Sequence, residues 1–228
     1  MKILLWDIDG TLLDFGAAET VAIRTCFEIF EMGECTDEML GSYKKINRSY
    51  WEKLERGEMS KPDILVGRFH DFFEQYGLDV SKAPAFNLEY QVRLGDTVCF
   101  QPNGLETVQA LKGKILQYAV TNGTKIAQER KLKNSGLDEL LDGVFISDII
   151  GVEKPDVRFF DEVFRVIGPV DKSEVLIVGD SLTSDILGGN NAGIVTCWYN
   201  PNKQENHMGL QIDREIQNIE EVKKILGL

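Results

Sequence analysis

Ile3-Leu4-Leu5-Trp6-Asp7-Ile8-Asp9-Gly10-Thr11 opens the chain with an apolar run that delivers two carboxylates one residue apart, then a glycine and a hydroxyl. The run reads as a buried strand, and Gly10 allows the turn that follows it to be tight. Successive side chains of a strand point to opposite faces, so Asp7 and Asp9 converge on one pocket only where the chain turns out of the strand. An Asx-turn closing a strand would also produce Asp-Gly. Two neighbouring negative charges, however, cost stability unless a cation or a proton is supplied, and that points to chemistry at the strand exit.

The hydrophobic period divides the remainder of the chain into two textures. After Asp14 it is helical: Ala18, Val21, Ala22, Cys26 and Ile29 share one face, as do Tyr43, Ile46, Tyr50 and Leu54, then Leu65, Phe69, Phe72, Phe73 and Tyr76, with a weaker helical stretch from Phe86 to Leu94. Residues 16–95 therefore read as an all-helical insert. From about residue 103 short apolar runs (Ile115 to Val120, Gly143 to Ile146, Val175 to Val178, Ile194 to Trp198) alternate with helical segments 124–135, 156–167 and 182–191. That alternation predicts an α/β core, residues 1–15 and 96–228, with a parallel sheet covered by helices on both faces, to which strand 2–6 belongs.

In such a sheet ligands sit outside the carboxyl ends of the strands. The residues placed there are Asp7 and Asp9; Thr121-Asn122-Gly123; Glu153-Lys154-Pro155-Asp156; and Gly179-Asp180-Ser181 with Asp185. The last run ends in Tyr199-Asn200-Pro201, a rim to which no chemistry is assigned. Taken singly, the clusters are ordinary helix starts: a cap at Thr121-Asn122-Gly123, a proline-led turn with a solvated Lys154, an N-cap and first-turn acid at Asp180 and Asp185. Their shared edge is what a metal and a phosphate group explain. Asp7 is then the candidate nucleophile, forming and releasing an acyl phosphate. Asp9 supplies and recovers the proton. Asp180 ligates a hard divalent cation such as Mg2+, with Asp185 behind it or on a metal-bound water. Lys154, Thr121, Asn122 and the Gly123 amide face the phosphoryl oxygens.

Composition narrows the classes. The chain has 228 residues, 43% hydrophobic and 27% charged, with a net charge of -12, which opposes binding to DNA or RNA. Cys26, Cys35, Cys99 and Cys197 lack Cys-x-x-Cys spacing, and His70 and His207 have no ligand-spaced partner, which argues against a zinc site or a histidine-based nucleophile. No run approaches the about 18 apolar residues of a membrane span. The expectation is a cytoplasmic protein, monomer or homodimer, acting on a small molecule.

The order of motifs, Asp7-Ile8-Asp9-Gly10-Thr11, Thr121-Asn122, Lys154-Pro155 and Gly179-Asp180-Ser181 with Asp185, resembles the haloacid dehalogenase superfamily over essentially the whole chain. The resemblance implies a Rossmann-like core, a mobile helical cap inserted after the first motif, and Mg2+ as cofactor. It also implies Asp7 as nucleophile, Asp9 as acid/base whose carbonyl contacts the metal, Thr121 and Lys154 as phosphate holders, and Asp180 as a metal ligand. The dehalogenases lack an acid at the place of Asp9, so its presence points to phosphoryl transfer. Leu12-Leu13-Asp14-Phe15-Gly16-Ala17-Ala18-Glu19, Gly151-Val152-Glu153-Lys154-Pro155-Asp156 and Ser184-Asp185-Ile186-Leu187-Gly188-Gly189-Asn190-Asn191-Ala192-Gly193 resemble the house-cleaning pyrimidine 5'-nucleotidases, which implies a nucleoside monophosphate substrate. Phe15 is then either a base-stacking platform or hinge packing. The alternatives are a sugar-phosphate or phosphoglycolate phosphatase, a phosphoglucomutase, a phosphonate hydrolase using Lys44, Lys45 or Lys53, and an inactive binding protein.

Overall fold

A computed structural model describes residues 1–228. The opening run forms β1 (Ile3–Trp6), every residue of which is buried. Four helices follow: α1 (Phe15–Ile29), α2 (Asp37–Glu55), α3 (Lys61–Gln75) and α4 (Ala83–Asp96). Thr36 caps α2 by accepting from the Met39 amide, and Ser60 caps α3 from the Asp63 amide, with Pro62 in its first turn. The alternating part then contributes α5 (Gly104–Leu111), β2 (Leu116–Thr121), α6 (Lys125–Ser135), α7 (Leu137–Leu140), β3 (Gly143–Ile146), α8 (Ser147–Ile150) and α9 (Val157–Ile167). It ends with β4 (Val175–Gly179), α10 (Leu187–Ala192), β5 (Val195–Tyr199), β6 (Arg214–Ile216) and α11 (Val222–Leu226).

The chain divides into two units, Met1–Phe15 with Val98–Leu228, and Gly16–Thr97. In the first, six strands form one sheet in the order β3-β2-β1-β4-β5-β6, with every neighbouring pair parallel. β1 is central: Trp6 is level with Ala119 of β2 on one side and with Val178 of β4 on the other. Leu4 and Trp6 enter one core layer with Val108, Leu111 and Leu132, while Ile3 and Leu5 enter the opposite layer with Phe159, Phe160 and Val163. Both faces are thus covered, which explains why the strands read as continuous apolar runs. The strand order reverses between β1 and β4, so a crevice opens at their carboxyl ends, where Asp7 and Asp180 stand.

In the helical unit Phe27, Tyr43, Phe69, Phe72, Phe73, Phe86 and Tyr90 form a connected set of ring contacts, with Tyr43 stacked on Phe69 at 5.2 Å between centroids. These aromatics are core. Beside them Arg68, 1% exposed, donates to Asn47 (2.7 Å) and Asn87 (3.2 Å), and Asn47 donates to Glu19 (2.7 Å). That polar chain links all four helices and satisfies charges that burial would otherwise penalise.

The structure departs from the sequence reading in three places. Val21 and Ile29, expected on the inner face of α1, are 47% and 48% exposed, because the face is turned toward Glu19, Ile23 and Phe27. The expected helix 182–191 is a wide turn at Leu182–Ile186 followed by the short α10, and β6 is a three-residue edge strand with no periodic signal of its own. No helix is long and apolar enough to cross a membrane.

Candidate active site

The Asp7 amide donates to the Val178 carbonyl (2.9 Å), so the sheet ladder continues one residue past β1 and fixes the backbone from which the Asp7 carboxylate projects. Gly10, at φ +98°, then turns the chain, and the Leu12 and Leu13 amides close the loop on the Ile8 carbonyl. A side chain at position 10 would be strained in that conformation and would place its Cβ 2.6 Å from Asp180 Oδ2. Glycine lets the loop touch the acid from the neighbouring strand exit.

Lys154 is the hub of the site. Expected as a solvated lysine if read alone, it is fully buried. Its ammonium donates to Asp185 Oδ1 (2.6 Å), the Val120 carbonyl (2.8 Å) and Asp7 Oδ1 (2.9 Å), three acceptors for three protons. Burial by itself would lower its pKa, but Asp185 and Asp7 together hold it above the ordinary lysine value. Asn122 anchors the backbone beneath: its Nδ2 donates to the Lys154 carbonyl and its Oδ1 accepts from the Lys154 amide, both at 2.8 Å. The Asn122 amide, expected to face phosphate, is thus occupied in locating the lysine. The Gly123 amide is likewise taken, donating to Thr121 Oγ1 (3.1 Å), and the cap of α6 is Thr124, one residue later than expected. Thr121 itself is buried at the end of β2, its hydroxyl oxygen accepting from the Gly123 amide.

Asp7, Asp180 and Asp185 each bring a carboxylate oxygen within 4.8 Å of the others. Burial pushes the Asp7 carboxyl up to about 7, the charge of Asp185 adds to this, and Lys154 only partly offsets them. Asp180 is also raised, by desolvation at the crowded site and by the charges of Asp7 and Asp185. Three acids face one lysine, so the cluster has a deficit of positive charge, and an all-oxygen donor set of this kind suits a hard divalent cation.

Such a cluster, on this sheet order and at these strand exits, agrees with a family model for haloacid dehalogenase-like hydrolases that matches residues 1–193. The chain belongs to that family. Among relatives of this haloacid dehalogenase-like hydrolase, the putative HAD-hydrolase YfnB of Bacillus subtilis is 34% identical over 227 residues, covering 100% of this chain and 96% of that protein. The pyrimidine 5'-nucleotidase PynA of Streptococcus pneumoniae is 35% identical over 226 residues, covering 97% and 93%. The crystal structure of YfnB bound to magnesium, described as revealing interdomain movement, superposes with a TM-score of 0.94 at 33% identity, covering 100% of this chain and 99% of that one.

Several residues of this haloacid dehalogenase-like hydrolase carry the site without having been singled out in the sequence. Thr11 Oγ1 lies 3.0 Å from Asp7 Oδ2 and 3.3 Å from Asp180 Oδ1 and accepts from the Asp180 amide (3.1 Å), stitching the two strand exits together. Trp198 Nε1 donates to the Asp180 carbonyl (2.9 Å) from the end of β5. Gln128 and Lys131 of α6 hold Asp9, which stands apart from the three-acid cluster. Thr11 lay inside the opening motif and was legible there. The other three face the site only through tertiary register. Phe15 places its ring 5.4 Å from the Lys131 ammonium. Gly179 is a further requirement, since a Cβ there would lie 2.2 Å from Asp185 Cγ.

Proposed function

We propose that the chain is a Mg2+-dependent phosphatase that removes phosphate from nucleoside 5'-monophosphates, pyrimidine nucleotides foremost. The observation that carries the chemistry is the Asp7 carboxylate fixed at the β1 exit against the buried Lys154 and flanked by Asp180 and Asp185. The substrate class is supported by similarity to a pyrimidine 5'-nucleotidase over nearly all of both chains.

In this reading Asp7 Oδ attacks phosphorus as the bond from phosphorus to the ester oxygen breaks, and the Asp9 carboxyl gives its proton to the departing oxygen. Water then attacks the phosphorus of the aspartyl phosphate, returning a proton to Asp9 and releasing inorganic phosphate and the Asp7 carboxylate. Dividing one displacement into two keeps each nucleophile and leaving group near the residue that serves it. The Thr121 hydroxyl holds a phosphoryl oxygen, and the Lys154 ammonium, fixed beside Asp7, supplies positive charge to the transferring group, so its charge is stabilised by groups already in place. The carboxylates of Asp7 and Asp180 and the carbonyl of Asp9 would hold Mg2+, with Asp185 behind them, and bound there it would supply positive charge to the phosphoryl oxygens and favour the ionised form of Asp7.

A panel of phosphate esters tests the assignment. Nucleoside monophosphates are hydrolysed ahead of sugar phosphates and phosphoglycolate, and turnover is lost on chelation of Mg2+. A reversed ranking transfers the function to a sugar-phosphate phosphatase, and no release from any ester makes the chain a binding protein. Asp7→Asn abolishes turnover with the fold intact; near-normal rates in that variant would remove the covalent step.

A further inference from the structure

Helix α6 reads as an ordinary polar helix, yet two of its long polar side chains are almost wholly inaccessible: Gln128 is 1% exposed and Lys131 0%. They are one turn apart, on one face of the helix, and they converge on a single group. Lys131 Nζ pairs with Asp9 Oδ1, and Gln128 Nε2 donates to Asp9 Oδ2 at 2.5 Å, so both carboxylate oxygens are held from the same side. Burying a lysine requires compensation, and here the compensation is a carboxylate together with the ring of Phe15. Gly123 makes the arrangement possible. A Cβ at that position would lie 2.1 Å from Gln128 Nε2 and 2.7 Å from its Cδ and Cγ, so any larger residue would push the Gln128 side chain off its path to Asp9.

The same contacts separate the two acids of the opening motif. Asp7 belongs to Lys154, while Asp9 has a cation of its own and remains 21% exposed at its side chain. Without Lys131 and Gln128, Asp9 would be free to swing into the Asp7, Asp180 and Asp185 cluster, adding a fourth negative charge there and leaving the place from which a leaving group receives its proton.

We propose that Gln128 and Lys131 are positioning residues for Asp9, holding its carboxyl clear of the metal-binding acids and aimed at the leaving oxygen of the substrate. The inference rests on the reading of Asp9 as proton donor. It concerns which step depends on α6: expulsion of a basic alkoxide, which needs a well-placed proton, as against expulsion of an acidic phenol, which does not.

The experiment measures kcat/KM, which reports the steps up to departure of the leaving group and not the hydrolysis of the aspartyl phosphate common to all esters, for p-nitrophenyl, phenyl and benzyl phosphate, of similar size and decreasing leaving ability, in saturating Mg2+. The variants are Gln128→Leu, Lys131→Met and Lys131→Arg, with Asp9→Asn as reference. General acid catalysis contributes on the order of 100-fold or more. Gln128→Leu and Lys131→Met are therefore expected to lower kcat/KM for benzyl phosphate about 10-fold or more while changing that for p-nitrophenyl phosphate less than about 3-fold. Lys131→Arg restores most of the loss, and Asp9→Asn shows the same selectivity with greater depth. The p-nitrophenyl rate reports folding within the same assay, and if Lys131→Met does not fold, Gln128→Leu decides. Equal losses for all three esters, no loss, or a gain in Gln128→Leu, with Asp9→Asn still selective, overturns the positioning role alone. An Asp9→Asn variant with no leaving-group selectivity overturns the proton-donor reading itself and the inference with it.

Discussion

Replacing Lys154 by Met should expose the electrostatic logic of the site. The substitution keeps a long side chain in the fully buried slot but removes the ammonium that lies 2.6 Å from Asp185 and 2.9 Å from Asp7. At about 4 Å and an effective dielectric of about 20, each such pair is worth about 4 kcal/mol of Coulomb energy before desolvation is counted. Breaking a buried pair by deleting one partner costs about 3–5 kcal/mol, since the remaining charge is left uncompensated. For a chain of this size each kcal/mol moves the melting temperature by about 2–4 °C, so the variant should melt about 6–20 °C lower at pH 8 without metal. The loss should depend on pH. Asp7 is raised to about 7 even with Lys154 present, so at pH 5 it carries its proton, one of the ammonium's two carboxylate partners has lost its charge, and the gap between variant and wild type should shrink. Adding Mg2+ at pH 8 should recover part of it. Thermal melts at both pH values, with and without Mg2+, make the measurement. A loss of the same size at pH 5 and pH 8 would mean that Lys154 acts through packing, and the charge argument would fail.

A second consequence concerns Asp7 itself. Its folded-state pKa, about 7, stands above its ordinary value of 3.8, so its contribution to stability is present below about pH 4 and is lost as pH rises to about 7, by up to about 4 kcal/mol. Metal-free Asp7→Asn should therefore melt progressively above the wild type between pH 4 and pH 7.5; a constant difference across that range would refute the raised value. Gly10→Ala forces an alanine into φ +98° with its Cβ 2.6 Å from Asp180 Oδ2. It should cost about 1–3 kcal/mol and weaken Mg2+ binding in a calorimetric titration, and unchanged metal affinity would show that the contact is relieved elsewhere. In the helical unit, Arg68→Met strips the donor from Asn47 and Asn87 and removes the cation from the buried polar chain that reaches Glu19, and should cost about 3–5 kcal/mol. Arg56→Ala, which removes the solvent-exposed pair with Glu58, should leave the melt where it is.

The sequence was most legible where structure is local. Ile3 to Trp6, the runs ending at Val120, Ile146, Val178 and Trp198, and the polar clusters after most of them specify a parallel α/β core with one polar edge, because burial on both faces demands continuous apolar strands. The all-helical insert was equally plain from its 3.6-residue period, although the inner face of α1 is turned away from Val21 and Ile29: Glu19 enters the interior, where Asn47, from another helix, receives it. Element type follows from near neighbours along the chain. Side-chain partnership does not. Nothing near Lys154 in sequence says that it is buried rather than solvated, since its three acceptors come from residues 7, 120 and 185. Nothing near Asp9 says that α6, about 120 residues away, supplies its cation and amide, or that Gly123 is small so that Gln128 can pass. The acids and their order were set by the sequence by itself. Which acid meets which cation was decided only by the tertiary structure, because that depends on strand register and helix placement across separations over which local propensity carries no information.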